Sequence, residues 1–323
     1  MVVAVTDRRV TMGERTARRA LALTSTGSDR LRAVVDGLDA RRSVRLLALL
    51  LALVLYVRLV PAFPHLDAYG YWEAYRWPDP YAYGLTGYLY SPAFLQVFAP
   101  LLALPWEAYY AIWLALLITV LLVMAGPTVS ILLLATALLP ARVAIFPLDI
   151  VRHYLASGNI FLLMSFAAVI ALRRPEAWAF LVLTKVSSGV AGLWHVARRE
   201  WGAVGRAALA TAAIVGISFV LVPAEWVAWL RLLVSNLGAP APAFALQLLP
   251  PLPRIAIAAA LAYVAGRLGT RWVVPVAAML ALPYIPDTGL IMLVGVVPLW
   301  LRRPWTAADG PVLPSWSLRG RPG

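Results

Sequence analysis

A bilayer core of about 30 Å is crossed by about 20 consecutive apolar residues in a helix, and this chain carries a series of runs near that length. They are Ser43 to about Phe63, Ser91–Leu104 (short), Glu107–Ala125, Thr128–Leu148, Asn159–Leu172, Gly205–Val222, Pro253–Leu268, Trp272–Pro283 and Thr288–Leu301. A further apolar stretch, Ala177–Ala197, is interrupted in its middle by Lys185-Val186-Ser187-Ser188-Gly189. Of the 323 residues 62% are hydrophobic and 13% charged, against about half and about a quarter in a soluble domain. That balance argues strongly against a soluble globular enzyme, and it excludes a disordered or collagen-like chain. Lipid supplies no hydrogen-bond partners to a backbone, so the runs are expected as helices. The fold class expected is an all-α polytopic membrane protein of about nine to eleven transmembrane or re-entrant helices.

The charges divide this chain into two faces. Twenty-eight basic residues against 15 acidic ones leave +13, but the basic residues form short clusters between apolar runs, which is how cytoplasmic loops are marked. Nucleic acid is therefore not an expected partner; membrane lipids are. Residues 1–42 are Arg-rich and lack a long apolar run, so they read as a cytoplasmic tail on anionic headgroups. The first run lies too deep for a cleaved signal peptide. Arg173 and Arg174 precede the interrupted stretch, and Arg198, Arg199 and Arg206 follow it. A single crossing would put one cluster outside; a broken helix pair that dips in and returns keeps both inside, with Lys185, the only lysine, near its tip. Non-helical backbone at that depth must line protein or a watery cavity. Arg267, Arg271, Arg302 and Arg303 then also fall inside, as does the tail 304–323, while the outer face keeps Arg58, Arg76, Arg152, Arg231 and Arg254. Thr128–Leu148, with Pro140 and Arg142, reads as one kinked helix or two short ones. There is no cysteine, which removes disulfides, zinc–thiolate sites and thiol chemistry.

The first outer loop, within 62–90, reads PHLDAYGYWEAYRWPDPYAYGLTGYLY from Pro64. An interfacial aromatic belt accounts for its tyrosines and tryptophans. It does not account for Asp67, an anion a few residues past the first helix, where desolvation is costly and such groups are functional by default. Tyr71 follows Asp67 at i+4 and Tyr75 at i+8, one helical face. Rings beside a carboxylate suit a sugar, whose C–H faces stack while its hydroxyls seek acceptors. Asp79-Pro80 reads as a turn or helix-start device, and Glu73 as a solvated acid.

Asp67-Ala68-Tyr69, Asp79-Pro80-Tyr81 and Tyr88-Leu89-Tyr90-Ser91-Pro92 resemble, in order and spacing, the outer-loop motifs of glycosyltransferase family 87. Downstream, Ser157-Gly158-Asn159 is similar to that family's Gly-Gln-x-Asn helix start. Leu172-Arg173-Arg174, Lys185 and Arg198-Arg199-Glu200-Trp201 are similar to its basic module. The likeness spans about residues 44–303. The chain differs in lacking the glutamine before Asn159, in Val186 after the lysine, and in Tyr284-Ile285-Pro286-Asp287-Thr288 where members often carry a histidine. The resemblance implies a GT-C-like transmembrane bundle over 43–303 with an outward-facing cavity. It also implies an inverting transferase that moves a hexose, mannose by likeness, from a polyprenyl-phosphate donor to a lipid or glycan acceptor at the outer face.

That chemistry needs a base for the acceptor hydroxyl, and Asp67 would serve. It needs cations at the departing phosphate, for which Lys185, Arg152 and His153 are candidates, with Arg58 and Arg76 weaker. An Asp149–Arg152 surface pair is the competing reading for Arg152. Tyr71, Tyr75 and Asp287 would meet sugar or acceptor, and a helix cap is the equal alternative for Asp287. His195 reads as interfacial and structural, and His65 as too near Asp67 in sequence to face it on a helix. No carboxylate cluster suggests a catalytic metal, and no cofactor is expected. Two other classes stay open: a transporter or flippase for lipids or small anions, and an inactive homologue that scaffolds envelope synthesis.

Overall fold

The computed structural model describes residues 27, 29–61, 66–82, 87–139, 150–235, 246 and 249–301. Both expected tails lie largely outside them, as do His65, Pro140, Arg142 and Asp149. Among the described residues the chain is helical and contains no strand. The part of the N-terminal tail that is described forms a helix, α1 (29–39).

The chain continues with α2 (Arg42–Leu59), α3 (Leu66–Ala74), α4 (Pro92–Leu102), α5 (Trp106–Ala137), α6 (Ile150–Ser157), α7 (Phe161–Ala171), α8 (Trp178–Thr184), α9 (Leu193–Ala197), α10 (Trp201–Leu221), α11 (Pro223–Ser235), α12 (Pro251–Leu268) and α13 (Val273–Leu280); α3, α6 and α11 lie outside the apolar runs, and the other helices fall on them. The last run is instead wound tightly, as a 3-10 segment Asp287–Gly295 followed by the π turn Val297–Leu301. Two helices, α5 and α10, are long and apolar enough to cross a membrane; α6 and α7, which meet at 99°, make a third if they form one broken span. α5 is itself broken at Gly126 (φ 71°, ψ 170°), with Pro127 opening its second stretch. Proline suits that position because its missing N–H has no helical partner there. Asp39 Oδ1, at the end of α1, accepts the N–H of Thr128 at 2.8 Å and so caps the restart.

α2 lies along α5, and α7 packs against α8, α13 and the 3-10 segment 287–295. Ser165 Oγ donates to Met292 O at 2.6 Å across the last of these contacts. α10 is different: Val220 is 80% and Leu209 71% exposed, an apolar surface that water would not favour.

The interrupted stretch turns back on itself. α8 stops at Lys185, whose backbone is extended (φ −140°, ψ 95°), and a 3-10 segment, Val186–Gly192, continues from it. A Cβ on Gly189 would stand 2.7 Å from Val182 Cγ2, and one on Gly192 3.6 Å from Trp178. Both pairs straddle Lys185, which therefore occupies the tip of a helical hairpin. The ends of the hairpin are tied together. His195 Nε2 donates to Ala171 O at 3.2 Å and Arg206 pairs with Glu176 at 3.0 Å. Arg198 reaches the C-terminal end of α12, 4.0 Å from where a Cβ on Gly269 would be. The clusters around 173–176, 198–206 and 267–269 thus gather at one end of the bundle.

At the other end, Gly158 sits in the left-handed region (φ +68°) between α6 and α7, and a Cβ there would stand 2.5 Å from Ala68 Cβ of α3. Gly158→Ala combines an unfavourable φ with a steric clash. It should lower stability by about 1–3 kcal/mol, read as a drop in the unfolding temperature of the purified protein in detergent.

Candidate active site around Asp67

The turn that receives α3 is braced from three sides. Trp113 Nε1 of α5 donates to Gly158 O at 2.7 Å. Tyr154 of α6, fully buried, donates its hydroxyl to Asn159 O at 2.6 Å and accepts the N–H of Leu162 at 3.0 Å. Asn159 Oδ1 accepts the N–H of Phe161 at 3.2 Å, capping α7. With that oxygen engaged, the amide N–H2 of Asn159 is the group left to donate to Asp67, which also accepts from Ser157. One turn of chain thus packs its glycine against Ala68 and aims its two polar neighbours at the adjacent carboxylate.

Burial pushes the Asp67 carboxyl above the usual aspartate range; hydrogen bonds from Asn159 and Ser157, and the charges of Lys185 and His153, oppose that without cancelling it. Lys185 reaches the site from the hairpin tip. Its ammonium lies 4.5 Å from the centre of the Tyr90 ring and 5.8 Å from that of Tyr284, where aromatic faces favour a cation. The rest of the side chain is buried.

Tyr90 belongs to an aromatic cluster that builds the wall. Tyr71 is buried, shares a 3.1 Å hydrogen bond with Tyr90 hydroxyl to hydroxyl, and sets its ring edge-on to Tyr90, Phe94 and Trp113 at 5.3, 5.4 and 5.9 Å. Tyr81 donates to Tyr90 O at 2.9 Å and Tyr88 to Ser91 O at 3.1 Å. These tyrosines are interior packing rather than an interfacial belt. Asp79 Oδ1 accepts the N–H of Tyr81 at 2.9 Å, the turn role expected of it. Tyr75, by contrast, is exposed.

His153 and Asp287, assigned from sequence to different parts of a substrate, are partners here. Nδ1 of His153 and Oδ2 of Asp287 are 2.9 Å apart, and Oδ1 of Asp287 accepts the N–H of Thr288 at 2.7 Å. Four of the candidates therefore converge: Asp67, Lys185, His153 and Asp287. Tyr284 and Ser157 join them. Ser157 stood in a quoted motif, while Tyr284 was quoted only in the stretch where the chain departs from the family's histidine.

Arg76, Arg152 and Arg254 are engaged with backbone. Arg76 stacks on Trp72 at 3.7 Å and donates to Trp72 O, Leu102 O and Leu104 O at 2.7, 2.9 and 3.1 Å. Arg152 donates to Leu139 O at 3.3 Å. Arg254, expected as a scattered outer cation, is buried and donates to Leu280 O at 2.9 Å, Leu249 O at 3.3 Å and Pro283 O at 2.7 Å, and also to Leu282 O. It holds the chain leaving α13 just before Tyr284 and Asp287. At the opposite end His195, expected at the interface, is instead buried, its Nδ1 2.7 Å from Glu200 Oε2. Partial burial raises the Glu200 carboxyl, but hydrogen bonds from Arg198 and His195 outweigh it and hold the group below its usual range.

Among the described residues no group of three or more His, Asp or Glu side chains could hold a metal ion. No family model, curated protein or solved structure matches the chain.

Proposed function

We propose that the protein is a membrane glycosyltransferase that moves a hexose, by likeness to family 87 mannose, from a polyprenyl-phosphate donor to a hydroxyl of a lipid or glycan acceptor. The observation that carries this reading is the pairing of a seated, partly buried carboxylate with a buried lysine whose charge acts on it, at the end of the bundle away from the basic clusters. The apolar surface of α10 supports placement in a membrane, and the gathered arginine clusters support an inside-facing N-terminus with Asp67 on the outer side.

In the proposed reaction the acceptor oxygen attacks the anomeric carbon from the face opposite the phosphate, inverting it. The acceptor O–H bond breaks and its proton passes to Asp67. The bond from the anomeric carbon to the phosphate oxygen breaks, and its electron pair leaves on the phosphate. A carboxylate whose proton affinity is raised by burial is a stronger base than a solvated one. Lys185 faces the charge that develops on the phosphate; in a site screened from water that attraction is worth more than at a surface. Tyr284 and Tyr90, flanking the ammonium, limit its motion.

A transporter of lipids or small anions is the second reading, favoured by a buried cation at a helix break. Reconstitution with labelled polyprenyl-phosphate mannose and an envelope lipid extract separates the two: labelled product supports the transferase, and no product with any donor overturns it. Asp67→Asn should cut transfer by about 10²–10⁴-fold with protein abundance unchanged; near-wild-type turnover would remove Asp67 from the role of base. The acid limb of the wild-type rate profile should lie above the ordinary aspartate value of 3.8, because only the ionised carboxylate accepts the proton. The native chain has no cysteine, so single cysteines report orientation cleanly. A cysteine at the exposed Ala82 should label from outside and one at Gly202, where a Cβ meets nothing within 4 Å, from inside.

A further inference from the structure

We infer that the basic end of the bundle is a site for one anionic phospholipid, its phosphate held by Arg198, Arg199 and Arg267 and its acyl chains lying on the exposed faces of α10 and α12. The site needs only that the bundle sits in a bilayer and owes nothing to the transferase chemistry. α9 and α12 end side by side: a Cβ on Gly266 of α12 would stand 2.5 Å from Trp194 O and 2.8 Å from Ala197 Cβ of α9. Both helices close with the same turn. In α12 the N–H of Thr270 returns to Ala265 O at 2.9 Å and that of Gly269 to Gly266 O at 3.3 Å, with Gly269 left-handed (φ 72°). In α9 the N–H of Glu200 returns to His195 O at 3.0 Å and that of Arg199 to Val196 O at 2.9 Å, with Arg199 left-handed (φ 58°). Glycine takes this position without steric cost. Among the described residues Arg199 is the only non-glycine residue with a positive φ, and strain of this kind points to use of the side chain.

Arg198 is preset to receive an anion. Its Nε donates to Glu200 Oε1 at 2.7 Å and its guanidinium lies over the Trp194 ring at 4.7 Å. The fork is thereby held in place with its terminal nitrogens as the remaining donors, a geometry that matches phosphate. Glu176 and Glu200 are the only acids within 173–176, 198–206 and 267–271, and both are engaged, with Arg206 and with Arg198 and His195. Arg199 and Arg267 are exposed and pair with no acid among the described residues. Apolar surface continues from these cations: Leu209 and Ile217 of α10 and Val264 and Leu268 of α12 are exposed. Trp201 and Trp272, beside the clusters, are exposed as well, and indoles favour the headgroup level. Cations at the ends of two lipid-facing helices fit a headgroup with its chains attached. A soluble anion gains nothing from the apolar faces, and a zwitterionic lipid brings a cation of its own toward the arginines.

The test is native mass spectrometry of the full-length protein in a neutral detergent, titrated with phosphatidylglycerol or phosphatidylcholine. One copy of phosphatidylglycerol should be retained about tenfold more tightly than phosphatidylcholine, the order of one charge-assisted hydrogen bond. Arg199→Gly combined with Arg267→Gln should bring the two lipids to near parity. Arg41→Gln combined with Arg42→Gln, which removes the same charge at the start of α2, should leave the preference standing. Arg199→Gly alone should hold or raise the unfolding temperature without lipid, because glycine takes that turn freely, yet weaken phosphatidylglycerol binding. A fall in that temperature assigns the side chain to the protein's own fold and overturns its lipid role. No preference in the wild type, or a preference that survives the Arg199 and Arg267 changes, overturns the site. A preference removed equally by the Arg41 and Arg42 changes reveals a diffuse field and overturns it too. Displacement of the lipid by inorganic phosphate at the same concentration makes the occupant a soluble anion. A lipid-independent dimer that the Arg199 and Arg267 changes dissolve makes it a second copy; either result overturns the lipid assignment.

Discussion

The contact of Ala68 with Gly158 organises the end of the molecule that holds Asp67. A short helix outside the apolar runs has little surface with which to hold a position, and a carboxylate on it gains nothing from burial unless it is bonded. The missing Cβ at Gly158 lets α3 approach the α6–α7 turn closely. Trp113, Tyr154 and Asn159 stiffen that turn. Asp67 is thereby placed where Ser157 and Asn159 can satisfy it, and burial then shifts its proton affinity.

Cations are allotted by the same logic. A chain crossing apolar surroundings leaves carbonyls at every helix end without partners, and guanidinium, with five donors on a planar fork, can satisfy several at once. Arg76 does so at the end of α4 and Arg254 at the end of α13. Lys185 is a point charge on a flexible stem, unsuited to that task. It sits instead over tyrosine rings with its charge directed at Asp67. Arg254 also serves the site indirectly, by fixing the chain that delivers Tyr284 and Asp287.

Much of the fold was legible because apolar run length and proline or glycine punctuation are local. The boundaries of α7, α10 and α12 fall within a few residues of the runs expected for them, and the break between Ala125 and Thr128 is present as the Gly126 kink. The hairpin around Lys185 was legible from arginine placement, since both flanking clusters needed the same end. The 3-10 winding of 287–295 was not, because apolar periodicity does not separate closely related helices over so short a stretch.

Within the site, Asp67 and Lys185 stood out in the sequence because an ion beside or within an apolar run requires a reason. The sequence alone determined helical character, the grouping of basic residues in short clusters between apolar runs, and these two residues, all of which follow from desolvation and chain-local length. Only the tertiary structure decided that Tyr71 belongs to the wall, that Arg76 and Arg254 serve backbone carbonyls, and that His153 and Asp287, 134 positions apart, are partners. Those outcomes depend on which helix ends meet in space, and the packing of small residues such as Gly158 against Ala68 sets that meeting.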